Sequence, residues 1–283
     1  MGQILGLLTL LAIRGKKSLF RKGSEMKIFV CIKQVPDTET RIKISGDGNS
    51  IDTNGIKWIV SPYDEFAIEE AVKIKEANAG STVTVVSVGP KARVMNSMRT
   101  ALAMGCDEGL LVDTNSELDS LTAAKALANA IKAEGDYSAI FTGKLAIDDN
   151  ASAVSQMMAE LLGIPHVGVV SKLDASGDTW TAEREVDGGT KEVFTMKLPG
   201  VITANKGLNK PRFASLPNIM KAKKKPVKEV SFGDLGLSDG DIKVQMKEFK
   251  LPEEKPPVKM IAGEADQQVA ELVKLLREEA KVL

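Results

Sequence analysis

The loop Gly143-Lys144-Leu145-Ala146-Ile147-Asp148-Asp149-Asn150 gathers residue types that could hold a ligand. A glycine lets the backbone approach a bound group, and Asp148, Asp149 and Asn150 precede an amphipathic segment whose free N–H groups would attract an anion. Carboxylates repel a phosphate unless they cap backbone or bind ribose hydroxyls, so the chemistry points to a nucleotide more than to a bare phosphate. The competing reading is that these side chains simply cap the helix. Neither a G-x-G-x-x-G nor a Walker motif occurs in the sequence.

A second stretch, Lys206 to Pro226, could bind a protein. Pro211 and Pro217 bracket Phe213, Leu216, Ile219 and Met220, which reads as an ordered loop carrying apolar groups, because two fixed φ angles oppose a regular helix or central strand. The run Lys221, Lys223, Lys224, Lys225 follows. Seven basic residues and no acidic one lie between Lys206 and Lys225, although the chain balances 38 Lys+Arg against 38 Asp+Glu. Apolar groups beside a one-sign field suit an acidic partner, charge steering the encounter and apolar contacts slowing release. A solvated Lys-rich face is the alternative.

Composition limits what else is possible. The chain has 283 residues, 43% of them hydrophobic and only 4% aromatic, so its core must come from Val, Ile, Leu, Ala and Met, as in α/β proteins. Cys31 and Cys106 are the only cysteines and His166 the only histidine, which excludes a zinc cluster, a His-based triad and a disulfide framework. Both thiols read as packing residues. No catalytic residue, metal ligand or nucleic-acid partner is expected.

The elements that must position these loops follow from pattern. The apolar run Ile4 to Ile13 is too short to span a bilayer, and its basic residues follow it, the reverse of a secretory signal. A transit peptide is one reading of residues 1–25. The preferred one is that Met26-Lys27-Ile28 is the natural start and the preceding segment a misplaced gene start. From there, strands are predicted at Lys27–Lys33, Thr82–Val88, Glu108–Val112 and Ser138–Thr142. Helices are predicted from Ser61-Pro62-Tyr63-Asp64, with Ser61 as N-cap, and over 92–104, 121–134 and 151–162. This alternation implies a doubly wound, mostly parallel sheet with helices on both faces and ligands at the carboxyl ends of its strands. Asp187-Gly188-Gly189 predicts a hairpin between Trp180–Val186 and Lys191–Lys197, with Arg184 just before the turn. Residues 201–205 read as a further strand. A Pro-rich arm ending in a helix on Val269, Leu272, Val273 and Leu276 cannot make its own core and is expected to wrap another subunit. The expected division is an extension over 1–25, an α/β domain over 26–211 and a recognition loop with arm over 212–283.

Several motifs in order resemble the beta subunit of electron transfer flavoprotein: KQVPD at Lys33–Asp37, EEAV at Glu69–Val72, RTALAMG at Arg99–Gly105, GKxAIDD at Gly143–Asp149, EREVDGG at Glu183–Gly189 and PRFASLPNIMKAKKKP at Pro211–Pro226. The resemblance runs from Met26 to the carboxyl end. It implies a non-catalytic electron carrier, cytoplasmic in a bacterium or in the mitochondrial matrix of a eukaryote. Its partner would be a larger alpha subunit holding most of the FAD. Electrons would come from flavin dehydrogenases such as acyl-CoA dehydrogenases and leave to a membrane quinone oxidoreductase.

Carried over by position, the resemblance implies a nucleotide site at Cys31, Ser61, Pro62, Tyr63, Asp64, Val88 and the loop Gly143 to Asn150, continuing through Ala151, Ser152, Ala153 and Val154. Ser61 stands where AMP-binding members usually have Asn, and Ser152-Ala153-Val154 where they carry Asn-x-Thr. Electron-bifurcating members, with a second FAD here, show an Asp-Gly-Asp-Thr type loop. The Asp148–Asp149 pair points to AMP, whereas KQVPDT and Val154 lean toward the second FAD. AMP is the expected ligand and a second FAD with NADH reactivity the alternative. An α/β nucleotide-binding module with a different partner is a third class. The recognition loop is Arg212, Phe213, Ala214, Ser215, Leu216, Pro217, Asn218, Ile219, Met220 and Lys221, with Leu216 as the anchor. Arg184 matches an arginine near the alpha-subunit flavin, where a fixed cation would favour the reduced, anionic ring. An interface salt bridge is its other role.

Overall fold

Strand β1 (Lys27–Cys31) alternates its side chains between two cores, as a buried parallel strand must. Ile28 and Val30 join Ile68, Val72, Val85, Met98 and Leu102 on one face of the sheet. Phe29 and Cys31 join Leu110, Leu127, Ile131 and Met158 on the other. The computed structural model describes residues 25–255 and 257–283, so the segment 1–24, where a targeting peptide or misplaced start is expected, lies outside the described residues.

After β1 come β2 (Gln34–Pro36) and β3 (Trp58–Val60), which pair with each other, then helix α1 (Pro62–Ala77), β4 (Thr82–Gly89), α2 (Lys91–Met104), β5 (Glu108–Asp113), α3 (Ser120–Ala133), β6 (Ala139–Gly143) and α4 (Val154–Leu162). The chain continues through β7 (His166–Asp174), β8 (Thr179–Glu185), β9 (Lys191–Lys197), β10 (Gly200–Ala204), α5 (Leu216–Ala222), β11 (Val227–Ser231) and α6 (Ala265–Glu278). Among the described residues the main sheet has nine strands in the order β11-β5-β4-β1-β6-β10-β7-β8-β9, parallel except for the β7-β8 and β8-β9 pairings. The chain leaves β1 for β4 and β5 on one side, then returns past β1 to β6. That reversal opens a crevice at the carboxyl ends of β1 and β6.

The predicted alternation is therefore present, with β2, β3, β7, α5 and β11 added and α4 shortened. The apolar run of β7 is broken by Gly168, Ser171 and Lys172, and β11 is an edge strand of mixed character, VKEVS, so neither shows a continuous apolar signal. Helix α5 occupies the stretch expected to be a loop. Pro217 falls in its first turn, where a missing N–H costs nothing, and the Ser215 hydroxyl accepts from the Asn218 N–H. Helix α4 begins at Val154 rather than Ala151, because Asn150 and Ser152 hold φ of 52° and 47°, which a helix cannot contain.

The structure divides into two units, Met1–Arg41 with Thr53–Met246, and Ile42–Asp52 with Lys247–Leu283. The boundary expected at 211/212 falls inside the first of these. α5 packs on α2, where Arg99 donates to the Ala222 and Lys225 carbonyls, and β11 extends the main sheet beside β5. In the second unit the Phe249 N–H donates to the Gly48 carbonyl, and α6 leaves Val269, Leu272 and Val273 exposed. Among the described residues no helix is long and apolar enough to cross a membrane.

Candidate functional site

Above the carboxyl ends of β1, β4 and β6 lies a cavity of about 520 Å³ that opens to solvent, a size typical of small-molecule sites. Of the expected nucleotide residues it is lined by Cys31, Asp64, Val88, Gly143, Lys144, Leu145, Ala146, Asp149, Ala151, Ser152, Ala153 and Val154. Ser61, Pro62, Tyr63, Ile147, Asp148, Asn150 and Arg184 do not reach its wall.

Asp64 builds the floor. It stands in the first turn of α1 and, instead of serving that helix, uses its two oxygens to tie adjacent strand ends together. The Lys33 N–H donates to Oδ2 at 2.7 Å and the Gly143 N–H to Oδ1 at 2.8 Å. Burial pushes its carboxyl up to about 7, against the pull of those two N–H donors and of Lys33. Ser61, expected as N-cap, makes no side-chain cap; its hydroxyl is buried without a partner, and its carbonyl accepts the Asp64 N–H.

Lys33 closes the front. Its Nζ lies 2.9 Å from Asp148 and 2.8 Å from Asp149, holding the end of β1 against the β6–α4 loop. Burial opposes ionisation of Asp149, but the Ala151 N–H and Lys33 hold its carboxyl below the usual range. Neither aspartate caps α4. Asp148 accepts from the Asp149 N–H and Asp149 from the Ala151 N–H, inside their own loop. The capping reading therefore fails, and α4 starts at Val154 behind Ala153, which offers no side-chain cap, its first turn lining the cavity. Tyr63 sits behind the wall with Lys144 Nζ 4.7 Å from its ring centre.

Both thiols are inert packing groups. Burial, reinforced by the Asp64 charge, pushes Cys31 far above the normal thiol range, and burial pushes Cys106 up to about 12. Among the described residues no cluster of side chains could hold a metal.

Sequence reasoning missed the far wall: Gly89, Pro90 and Arg93 after β4, and Asn115, Ser116, Glu117, Leu118, Asp119 and Ser120 after β5. The signal was available, since these loops also follow carboxyl ends of parallel strands. They carry no motif to single them out.

The recognition loop is a separate surface. Phe213 is 96% exposed, Leu216 79% and Met220 62%, an apolar group uncovered on a chain with an otherwise filled core. Arg212 points inward instead. Its guanidinium holds Glu69 at 2.8 Å and Glu76 at 2.7 Å on α1, anchoring the loop's base. Ala214 packs against the core. Lys225 is also consumed by the fold, its Nζ donating to the Leu102 and Cys106 carbonyls at the end of α2, whereas Lys221, Lys223 and Lys224 are exposed.

A model of the electron transfer flavoprotein domain matches residues 48–235. The chain is 41% identical over 263 residues to the electron transfer flavoprotein subunit beta of Bacillus subtilis, covering 91% of this chain and 100% of that one. It is 42% identical over 260 residues to the mitochondrial subunit beta of Arabidopsis thaliana, at 91% and 100% coverage. With the subunit beta of Mus musculus it shares 37% over 263 residues, at 92% and 100%.

The chain belongs to the electron transfer flavoprotein beta-subunit family. That makes it part of an electron-carrying flavoprotein rather than an enzyme, and a beta subunit implies an alpha-subunit partner. Within the family reading, the hairpin arginine is the residue whose surroundings bear most on its role. Arg184 pairs with Glu192 across β8 and β9 at 2.7 Å, and its guanidinium lies 5.2 Å from the Phe194 ring centre. Its charge is already met by a carboxylate of this chain.

Proposed function

We propose that this chain is the nucleotide-holding and partner-docking half of a heterodimeric electron carrier. In this reading the alpha subunit holds the redox-active FAD, which supplies the electron transfer. Flavin dehydrogenases such as acyl-CoA dehydrogenases load it, and a membrane quinone oxidoreductase unloads it. This chain adds an AMP site and the docking loop. The compartment is the cytoplasm of a bacterium or the mitochondrial matrix of a eukaryote.

The observation that carries the nucleotide part is the crevice itself: an uncapped α4 N-terminus and a glycine-floored loop share one cavity with Lys144. Such a site fits an anionic group held by backbone N–H donors. The ligand's role here is structural, since a bound nucleotide stabilises the folded pair by mass action. The cavity's extension over Asn115–Ser120 favours the second reading, a bifurcating subunit with a second FAD, because AMP alone calls on fewer walls.

The docking part is tested on the loop. Leu216→Ala removes an exposed apolar side chain and should cost about 1 to 3 kcal/mol of dehydrogenase binding, mostly as faster dissociation. Replacing Lys223 and Lys224 with Gln should instead slow association and flatten its salt dependence, because exposed charges act through a screened field. Stopped-flow reduction of the heterodimer by an acyl-CoA dehydrogenase across a salt series separates the two. A wild-type rate for Leu216→Ala at subsaturating dehydrogenase would remove the loop from the docking surface.

A further inference from the structure

Arg93 lines the cavity from the first turn of α2, outside every residue the sequence suggested for the site. Four arginines of the described chain are half-buried, and three have oxygen partners. Arg99 bonds two carbonyls, Arg184 bonds Glu192, and Arg212 bonds Glu69 and Glu76. Among the described residues Arg93 has none for its guanidinium. Its Nε is buried with no hydrogen-bond partner among the described residues, and the ring centre of Trp58 lies 4.2 Å from Cζ.

That arrangement is expensive as it stands. A guanidinium partly removed from water loses hydration at donors that nothing in the chain replaces. Burial lowers its pKa, and Glu117 and Asp148 act on it through space without bonding it. Trp58 supports one face of the plane, which leaves the in-plane N–H donors for an acceptor. The planar fork matches a phosphate or a carboxylate. Of the other cations lining the cavity, Lys33 is engaged by Asp148 and Asp149, and Lys144 lies against Tyr63.

We propose that Arg93 binds a phosphate group of the nucleotide held in this cavity, and so makes the site select nucleotides over nucleosides. This rests on the nucleotide reading above. The backbone N–H groups of the α4 turn offer dipoles to an anion, and Arg93 offers a full charge from the opposite, β4–α2 wall. Arg93 is then a specificity-determining residue of the site rather than a structural cation.

Calorimetry on the heterodimer with its alpha subunit, stripped of bound nucleotide, tests this with adenosine, AMP and ADP. Arg93→Gln should weaken AMP or ADP by roughly 10- to 100-fold, the worth of a charge-assisted bond, and leave adenosine within about twofold. A loss shared by AMP and ADP places the contact on the first phosphate, and a loss confined to ADP on the second. Arg93→Lys keeps the charge and the stem beside Trp58. It should show a smaller loss with the same pattern, and it carries the test if the Gln variant does not fold. Equal changes for all three ligands, or none, would overturn the role given to Arg93. A wild-type heterodimer that binds none of the three would instead refute the nucleotide reading on which it rests.

Discussion

Gly143→Ala should lower the stability of the chain by about 3 kcal/mol, the upper range for overpacking a filled position, and, on the nucleotide reading, cost the cavity its ligand. A Cβ on Gly143 would stand 2.6 Å from Asp64 Oδ1, 2.7 Å from Tyr63 Cβ and 2.8 Å from the Asp64 backbone nitrogen. None of these can yield cheaply. The carboxylate is held by the N–H of Gly143 itself and by that of Lys33, and the other two atoms belong to the first turn of α1. The added methyl therefore pushes β6 and α1 apart at the floor of the crevice. Thermal melts of the heterodimer should drop by roughly 6–12 °C, at 2–4 °C per kcal/mol for a chain of this size. Gly177→Ala is the control, since a Cβ there meets nothing within 4 Å and only the φ of 72° opposes it. Wild-type melting and nucleotide content in Gly143→Ala would show that the floor is not as tight as the structure makes it.

Asp64→Asn should cost about 1 to 3 kcal/mol through a single mispaired group. Two N–H donors face the two carboxylate oxygens, and an amide offers one acceptor, so its NH₂ must oppose either Lys33 N–H or Gly143 N–H. The same variant has a pH signature. The folded chain raises the Asp64 pKa from 3.8 to about 7 by burial, so between those values it retains a proton that the unfolded chain has lost. This group's contribution to stability is thus full below pH 3.8, declines as pH rises and is lost above about 7. Its slope is at most about 1.4 kcal/mol per pH unit. Melting curves from pH 4 to 8 should show that decline in the wild type and a flatter profile in Asp64→Asn. Parallel profiles would mean that Asp64 is ionised throughout.

The layered architecture was readable because β1, β4, β5 and β6 are continuous apolar runs alternating with amphipathic helices, a local pattern with a direct physical cause. The crevice was readable as a place, since parallel strands put ligands at their carboxyl ends. Its internal bonding was not. Asp64 looked like a helix-start acid, yet its partners are 31 and 79 residues away, and Lys33 finds Asp148 and Asp149 more than a hundred residues on. Local spacing carries no trace of such ties. Helix α5 was hidden for the opposite reason. Pro217, which argues against a helix interior, is admissible in its first turn, and only the Ser215 cap shows that the helix starts there. Arg212 and Lys225 resembled the other cations of their segment until the fold supplied Glu69, Glu76 and the carbonyls at the end of α2.

The central claim is that this chain carries one structural AMP within an electron-carrying heterodimer whose alpha subunit holds the FAD. The most direct test is to co-express the chain with its alpha subunit, denature the purified complex with heat and quantify what is released. One FAD and one AMP per heterodimer is the expected result. Two FAD and no AMP would contradict it, replacing the structural nucleotide with a second flavin.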